Sequence, residues 1–103
     1  MVTRGEVWWS ECPDWGRRPV LILTRDEVAE RLSSVMAALV TTVRRDLPTE
    51  VSLDRDDGMP RSCVVNLDNV TSEPRVYLTS RITRLGAERM QQVCRALAHA
   101  TGC

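Results

Sequence analysis

Arg18 stands immediately before Pro19, and Thr41 and Thr42 stand in tandem near the end of a long apolar run. An arginine presents a planar, permanently charged fork that matches phosphate oxygens with two parallel hydrogen bonds. A threonine hydroxyl donates one hydrogen bond and accepts others. Proline fixes its own φ and keeps the residue before it extended, so Arg18 is held at the entrance of a strand. Apolar Val20 to Leu23 follow, which makes Arg18 to Thr24 a buried strand. A fixed cation with a hydroxyl beside it suits an anionic ligand whose charge must be held and oriented. The elements around these residues must bring the two together.

The remaining composition narrows the chemistry. All 14 cations are arginine and none is lysine, which reads first as codon bias. Every cation is nevertheless a fork suited to phosphates and to stacking on bases. The formal net charge is zero, so any anion binding depends on local patches rather than on the whole surface. Cys12, Cys63, Cys94 and Cys103 form no CxxC spacing, and His99 is the single histidine. A zinc site is not expected, and no metal or other cofactor is called for. Free thiols are expected, with Cys63 and Cys94 as small core residues. No apolar run of about 18 residues exists to cross a membrane, and Met1 to Trp9 lack the core of a signal peptide. A cytoplasmic protein of one domain, residues 1–103, is expected.

Strands are predicted at Gly5 to Glu11, Arg18 to Thr24, Val35 to Val43, Glu50 to Leu53, Ser62 to Leu67 and Ser80 to Leu85. Trp8 and Trp9 must face opposite ways, so one of them can line a groove. Asp26 is a plausible N-cap for a short helix to about Leu32, with Val28, Ala29 and Leu32 inward and Glu27 and Glu30 outward. Asp57-Gly58 is the strongest turn signal. Thr71 to Leu78, with Pro74, reads as irregular. Met90, Val93, Cys94 and Leu97 make one stripe of a helix from Ala87 to His99, stopped by Gly102. The sum is a mainly β, α+β chain: a small antiparallel barrel with a short inserted helix and a C-terminal helix.

Five stretches in this order resemble the MazF/PemK family of bacterial toxins: RGEVWW at Arg4 to Trp9, RRPVLILT at Arg17 to Thr24, LVTTVRRDLPTEV at Leu39 to Val51, SCVVNLDNV at Ser62 to Val70, and SRITRL at Ser80 to Leu85. Within that family it resembles the arginine-rich actinobacterial members. The resemblance implies an SH3-like barrel of the CcdB/PemK type and a homodimer. It implies a metal-independent endoribonuclease that cuts single-stranded RNA at a short sequence, leaving a 2′,3′-cyclic phosphate and a 5′-hydroxyl. It also implies a MazE-like antitoxin that blocks the RNA groove. The family's catalytic arginine corresponds to Arg18 and its catalytic threonine to Thr41, with Thr42 one position away. The loop before the arginine, Glu11 to Arg17, is shorter than in many members, which puts a copied gating mechanism in doubt.

Such cleavage uses the RNA's own 2′-OH as nucleophile, so the protein supplies position and charge. Arg18 would stabilise the phosphorane oxygens, and Thr41 would orient a non-bridging oxygen or the 2′-OH. Arg17, Arg25, Arg44 and Arg45 are candidate grips on flanking phosphates or bases. Trp15 is a candidate stacking residue, and Asp68 and Asn69 are candidate readers of base edges. Two alternatives are a gyrase-poisoning toxin of the same barrel type, which the HATGC ending disfavours, and an SH3-like binding module without activity.

Overall fold

The computed structural model describes residues 2–29 and 31–103. Six strands carry the fold: β1 Glu6–Cys12, β2 Gly16–Ile22, β3 Ser34–Thr41, β4 Glu50–Leu53, β5 Cys63–Pro74 and β6 Leu78–Arg84. Two helices, α1 Asp26–Ala29 and α2 Ala87–Thr101, complete it. One antiparallel sheet runs in the order β4-β5-β3-β2-β1-β6 and curls into a half-barrel. The expected small antiparallel architecture with an inserted and a C-terminal helix is what the chain adopts.

The pleat of β2 explains why its apolar run has no alternation. Leu21 and Leu23 pack into one core with Val7, Ala38, Val40 and Leu53. Val20 and Ile22 face the other way, into a second cluster with Val35, Ala37 and Trp8. α2 closes the first core, burying Val93 and Ala96 and packing Met90 and Leu97 against it. Gly102 ends that helix with a positive φ of 74°, and its N–H caps the Ala98 carbonyl.

Three expectations need correction. Thr71 to Leu78 is not irregular throughout: β5 runs on to Pro74, a 3-10 turn spans Arg75–Tyr77, and β6 begins at Leu78. The register explains this, because Ala38 pairs with Val70 but Leu39 pairs with Asn66, so β5 bulges and re-pairs further on. α1 is shorter than the predicted helix, with Arg31 and Leu32 outside it and Leu32 exposed; Glu30 lies outside the described residues. The Asp26 carboxylate accepts the Arg4 N–H at 2.8 Å, tying the helix start to the N-terminal segment. Finally, Cys94 is exposed and Cys12 is buried, whereas Cys63 is buried as expected. Among the described residues no helix is long and apolar enough to cross a membrane.

Candidate active site

The site forms where two neighbouring strands part. From Gly16 to Pro19, β2 pairs with β1 alone; its ladder to β3 starts at Val20–Leu39. Pro19 has no N–H with which to extend that ladder. β3 meanwhile stays with β5, through Val40–Val65 and Thr41–Val64. A cleft of about 480 Å³ opens in the gap. Trp9, Arg17 and Pro19 line one wall and Thr41 and Thr42 the other, with Arg61 at its edge. Buried Val40 and Cys63 lie at the bottom.

Charge and hydroxyls meet in this cleft. The Arg17 guanidinium lies over the Trp9 ring, 4.1 Å from its centroid. This geometry supports a cation–π contact and holds the fork along the wall. Thr41 Oγ1 accepts the Val43 N–H at 3.2 Å, so its own proton remains for a ligand. Cys63 is no ready nucleophile: burial pushes its thiol up, and the Asp57 charge adds to this. Among the described residues no group of three or more His, Cys, Asp or Glu side chains is placed to hold a metal ion.

Arg18 takes the other face of β2. Continuing the β2–β3 register past Val20–Leu39 sets Arg18 across from Thr41, but the strands have already separated there. The Arg18 head lines a neighbouring cavity of about 510 Å³ with Trp15, Asn69, Thr71, Glu73 and Tyr77. Its Nη2 is 3.7 Å from Glu73 Oε2, and its guanidinium carbon is 5.4 Å from the Trp15 centroid. Its Nε is buried and has no hydrogen-bond partner among the described residues. Arg17 and Arg18, adjacent in sequence, thus serve two cavities, one on each side of the strand.

The other predicted residues divide. Arg44 and Arg45 sit in the exposed loop after Thr42. Arg44 Nη1 donates to Ser52 Oγ at 2.6 Å, and the Arg45 N–H is taken by the Glu50 carboxylate at 3.0 and 3.1 Å. Trp15, in the β1–β2 turn, is 68% exposed rather than folded into the core. Asn69 lines the Arg18 cavity. Asp68 points away from both cavities: it accepts the Thr49 hydroxyl at 2.6 Å and lines a groove beside α2. Arg25 lies three residues beyond the far end of β2, which itself carries the chain about 17 Å from Arg17 to Ile22. Of the predicted residues, Arg17, Thr41 and Thr42 line the cleft and Arg18, Trp15 and Asn69 the neighbouring cavity, whereas Asp68, Arg25, Arg44 and Arg45 line neither.

Arg61, Glu73 and Tyr77 were not expected at the site. Arg61 arrives because the Asp57-Gly58 turn aims the chain back across the sheet, and only the turn itself was readable. Glu73 and Tyr77 belong to the stretch that carries no strand pattern. Trp9 had a signal, the Trp8-Trp9 pair, but not a side.

The sequence and the fold have close counterparts. The profile of the PemK-like, MazF-like toxins of type II toxin–antitoxin systems matches residues 3–101. A probable endoribonuclease MazF2 of Mycobacterium tuberculosis H37Rv is 44% identical over 97% of this chain and 98% of its own. A probable endoribonuclease MazF5 of the same strain is 45% identical over 97% of this chain and 93% of its own. Among solved structures, the Mycobacterium tuberculosis toxin MazF-mt6 superimposes with a TM-score of 0.87 at 33% identity, covering 94% of this chain and 96% of that one. A mycobacterial endoribonuclease in complex with its cognate antitoxin gives 0.89 at 27% identity, over 99% and 96%. The profile match over residues 3–101, together with relatives 44% and 45% identical along nearly the whole chain, places it in the PemK-like, MazF-like family of type II toxin–antitoxin toxins.

Proposed function

We propose that the chain, acting as one toxin domain over residues 1–103, is a cytoplasmic endoribonuclease that cuts single-stranded RNA without a metal ion. It works as a homodimer and is silenced by a cognate MazE-like antitoxin. The observation that carries this reading is the parting of β2 and β3 at Pro19, with Arg17 beside Thr41 and Thr42 on one side and Arg18 on the other. The relatives named as endoribonucleases, and the neighbour solved with its cognate antitoxin, support it.

RNA laid across the gap where β2 and β3 part would set one phosphate at the boundary of the two cavities, with Arg18 on one side of it and Thr41 on the other. Thr41 orients the 2′-OH or a non-bridging oxygen. The 2′-oxygen attacks phosphorus, the P–O5′ bond breaks, and a 2′,3′-cyclic phosphate remains. The 2′ proton leaves to water and the 5′-oxygen takes one up, giving a 5′-hydroxyl. Arg18 holds the charge that grows on the phosphorane oxygens, a contribution of several kcal/mol in comparable sites. Arg17 and Arg61 grip flanking phosphates, Thr42 offers a hydroxyl from the facing wall, and Arg44 and Arg45 extend the grip from the exposed loop that follows it. Trp9 and Trp15 offer faces for unstacked bases, and Asn69 offers an edge.

The test is to incubate the purified protein with a mixed-sequence single-stranded transcript in EDTA and to map the ends. Cleavage leaving 5′-hydroxyl ends, with a matching DNA left intact, is expected. A folded protein that leaves the RNA whole, or that cuts the DNA equally well, overturns the reading.

A further inference from the structure

Glu73 is only 3% exposed, and the phosphoryl chemistry above gives it no role. A buried carboxylate is tolerated where its charge and its lone pairs are answered. Glu73 is answered by β1 and β2. Ser10 donates its hydroxyl to Oε1, Thr71 Oγ1 lies 3.4 Å from Oε2, and Arg18 Nη2 lies 3.7 Å from the same oxygen. Ser10 and Arg18 are themselves direct cross-strand partners. Glu73 therefore grips both members of one β1–β2 pair, from the part of β5 that re-pairs with β3 after the bulge between Asn66 and Val70.

Taking the nuclease reading as given, we infer that Glu73 is a positioning residue that aims the Arg18 guanidinium at the scissile phosphate. Arginine is a long, rotamer-rich side chain, and a phosphate contact is worth most when the fork is already fixed. Arg18 is fixed at both ends. Pro19 and the β1 ladder set its backbone, and Glu73 holds one nitrogen of its head. The distance of 3.7 Å leaves this a charge contact, not a closed bidentate pair, so the fork keeps donors for an incoming anion. Glu73 does not act as a base. It lies behind Arg18, and Ser10 and Thr71 occupy its oxygens.

The same carboxylate also opposes anion binding, because it is a negative charge beside the phosphate site. Its removal should therefore act on binding and on turnover in opposite directions. In Glu73→Gln the amide keeps the shape and can still accept from Ser10. On a single-stranded RNA oligonucleotide carrying a mapped cut site, kcat is expected to fall about tenfold while KM stays level or falls. A residue that merely supports the fold would not split the two constants in this way.

The decisive arm is a double-mutant cycle on the full chain. If Glu73 works through Arg18, then Glu73→Gln added to Arg18→Ala lowers the residual rate no further. An unchanged kcat in Glu73→Gln, or an additive loss in the double variant, overturns the assignment. If Glu73→Gln fails to fold, Ser10→Ala takes its place: it frees the carboxylate from one anchor and should lower kcat about threefold, and no change there counts against the assignment. Wild-type protein in EDTA is run alongside. If it leaves RNA uncut, the nuclease reading itself has failed; if it cuts and the variants cut equally, only the Glu73 assignment has.

Discussion

The Arg17 guanidinium lies 4.1 Å from the centroid of the Trp9 ring, on the wall of the cleft that Thr41 and Thr42 face. Trp9 pairs with Pro19 and Glu11 pairs with Arg17, so the contact is a diagonal one across the β1–β2 ladder. The contact makes Arg17 an oriented grip, and it separates its role from that of Arg18 next door.

Arg17→Ala should therefore weaken RNA binding more than it slows the bound reaction. Losing one phosphate contact on a single strand lowers the salt dependence of log K by about 0.7. The expected result is a raised KM with kcat within about threefold of wild type. Titration of RNA against Trp fluorescence at several salt concentrations reads this directly. An unchanged slope would place Arg17 off the RNA path.

Arg18→Ala should lower kcat by about 100-fold or more. It also strands Glu73, whose side chain is 4% exposed, without the cation that answers it. Leaving a buried charge uncompensated is costly, and about 1–3 kcal/mol of stability should be lost. Arg18→Ala with Glu73→Gln should regain most of that stability and none of the activity. Urea midpoints for the four proteins in the cycle check the stability part. Thr41→Val and Thr42→Val assayed in parallel locate the hydroxyl: the larger kcat loss is expected at Thr41, which ends the β3 ladder at Val64.

These residues differ in how readable they were, and the reason is physical. The Arg18-Pro19 step and the tandem threonines are local features, and β2 showed its double burial as an unbroken apolar run. The curl of the sheet is not local. Whether Asp68 or Asn69 meets the Arg18 cavity depends on the bulge in β5 between its two stretches of pairing with β3. Neighbours on a strand face opposite ways, and these two were sent to different cavities. Glu73 was invisible for the same cause, since nothing in Thr71 to Leu78 alternates. Arg25 misled because position near a strand end says nothing about which end carries the site.

Asp57 should make stability depend on acid pH. Burial pushes its carboxyl up, but Arg89 and the Asp54 N–H, at 3.0 and 2.9 Å, outweigh that and hold it below the ordinary aspartate value. A carboxyl lowered by folding stabilises the protein above its unfolded pKa of about 3.9, and that stabilisation is lost as pH falls through the lower folded value. Asp57→Asn should cost about 1–2 kcal/mol at pH 7. The gap between wild type and variant should close as pH drops below about 4. Thermal melts from pH 7 to pH 2 test this; a gap of constant size across that range would show that the charge is not what Asp57 contributes.

Gly58→Ala should damage both fold and activity through one contact. Gly58 has φ of 90°, where side chains are strained, and it closes the turn that Asp54 caps. An added Cβ would lie 2.3 Å from Thr83 Oγ1 and 2.8 Å from Thr83 Cβ. Thr83 cannot simply swing away, because its hydroxyl donates to the Asp57 carbonyl at 2.8 Å and its strand is paired to β1 at Val7. The backbone strain alone should cost about 1–3 kcal/mol, with the clash in addition. Relief by shifting the turn would move Met59, Pro60 and Arg61, which line the cleft directly after it. Arg61 would then grip RNA less well, so KM should rise in the folded fraction at low temperature. Thr83→Ala in the Gly58→Ala background removes the hydroxyl from the clash and should restore part of the lost Tm. If the pair melts no higher than Gly58→Ala alone, backbone strain and not the Thr83 contact sets the cost.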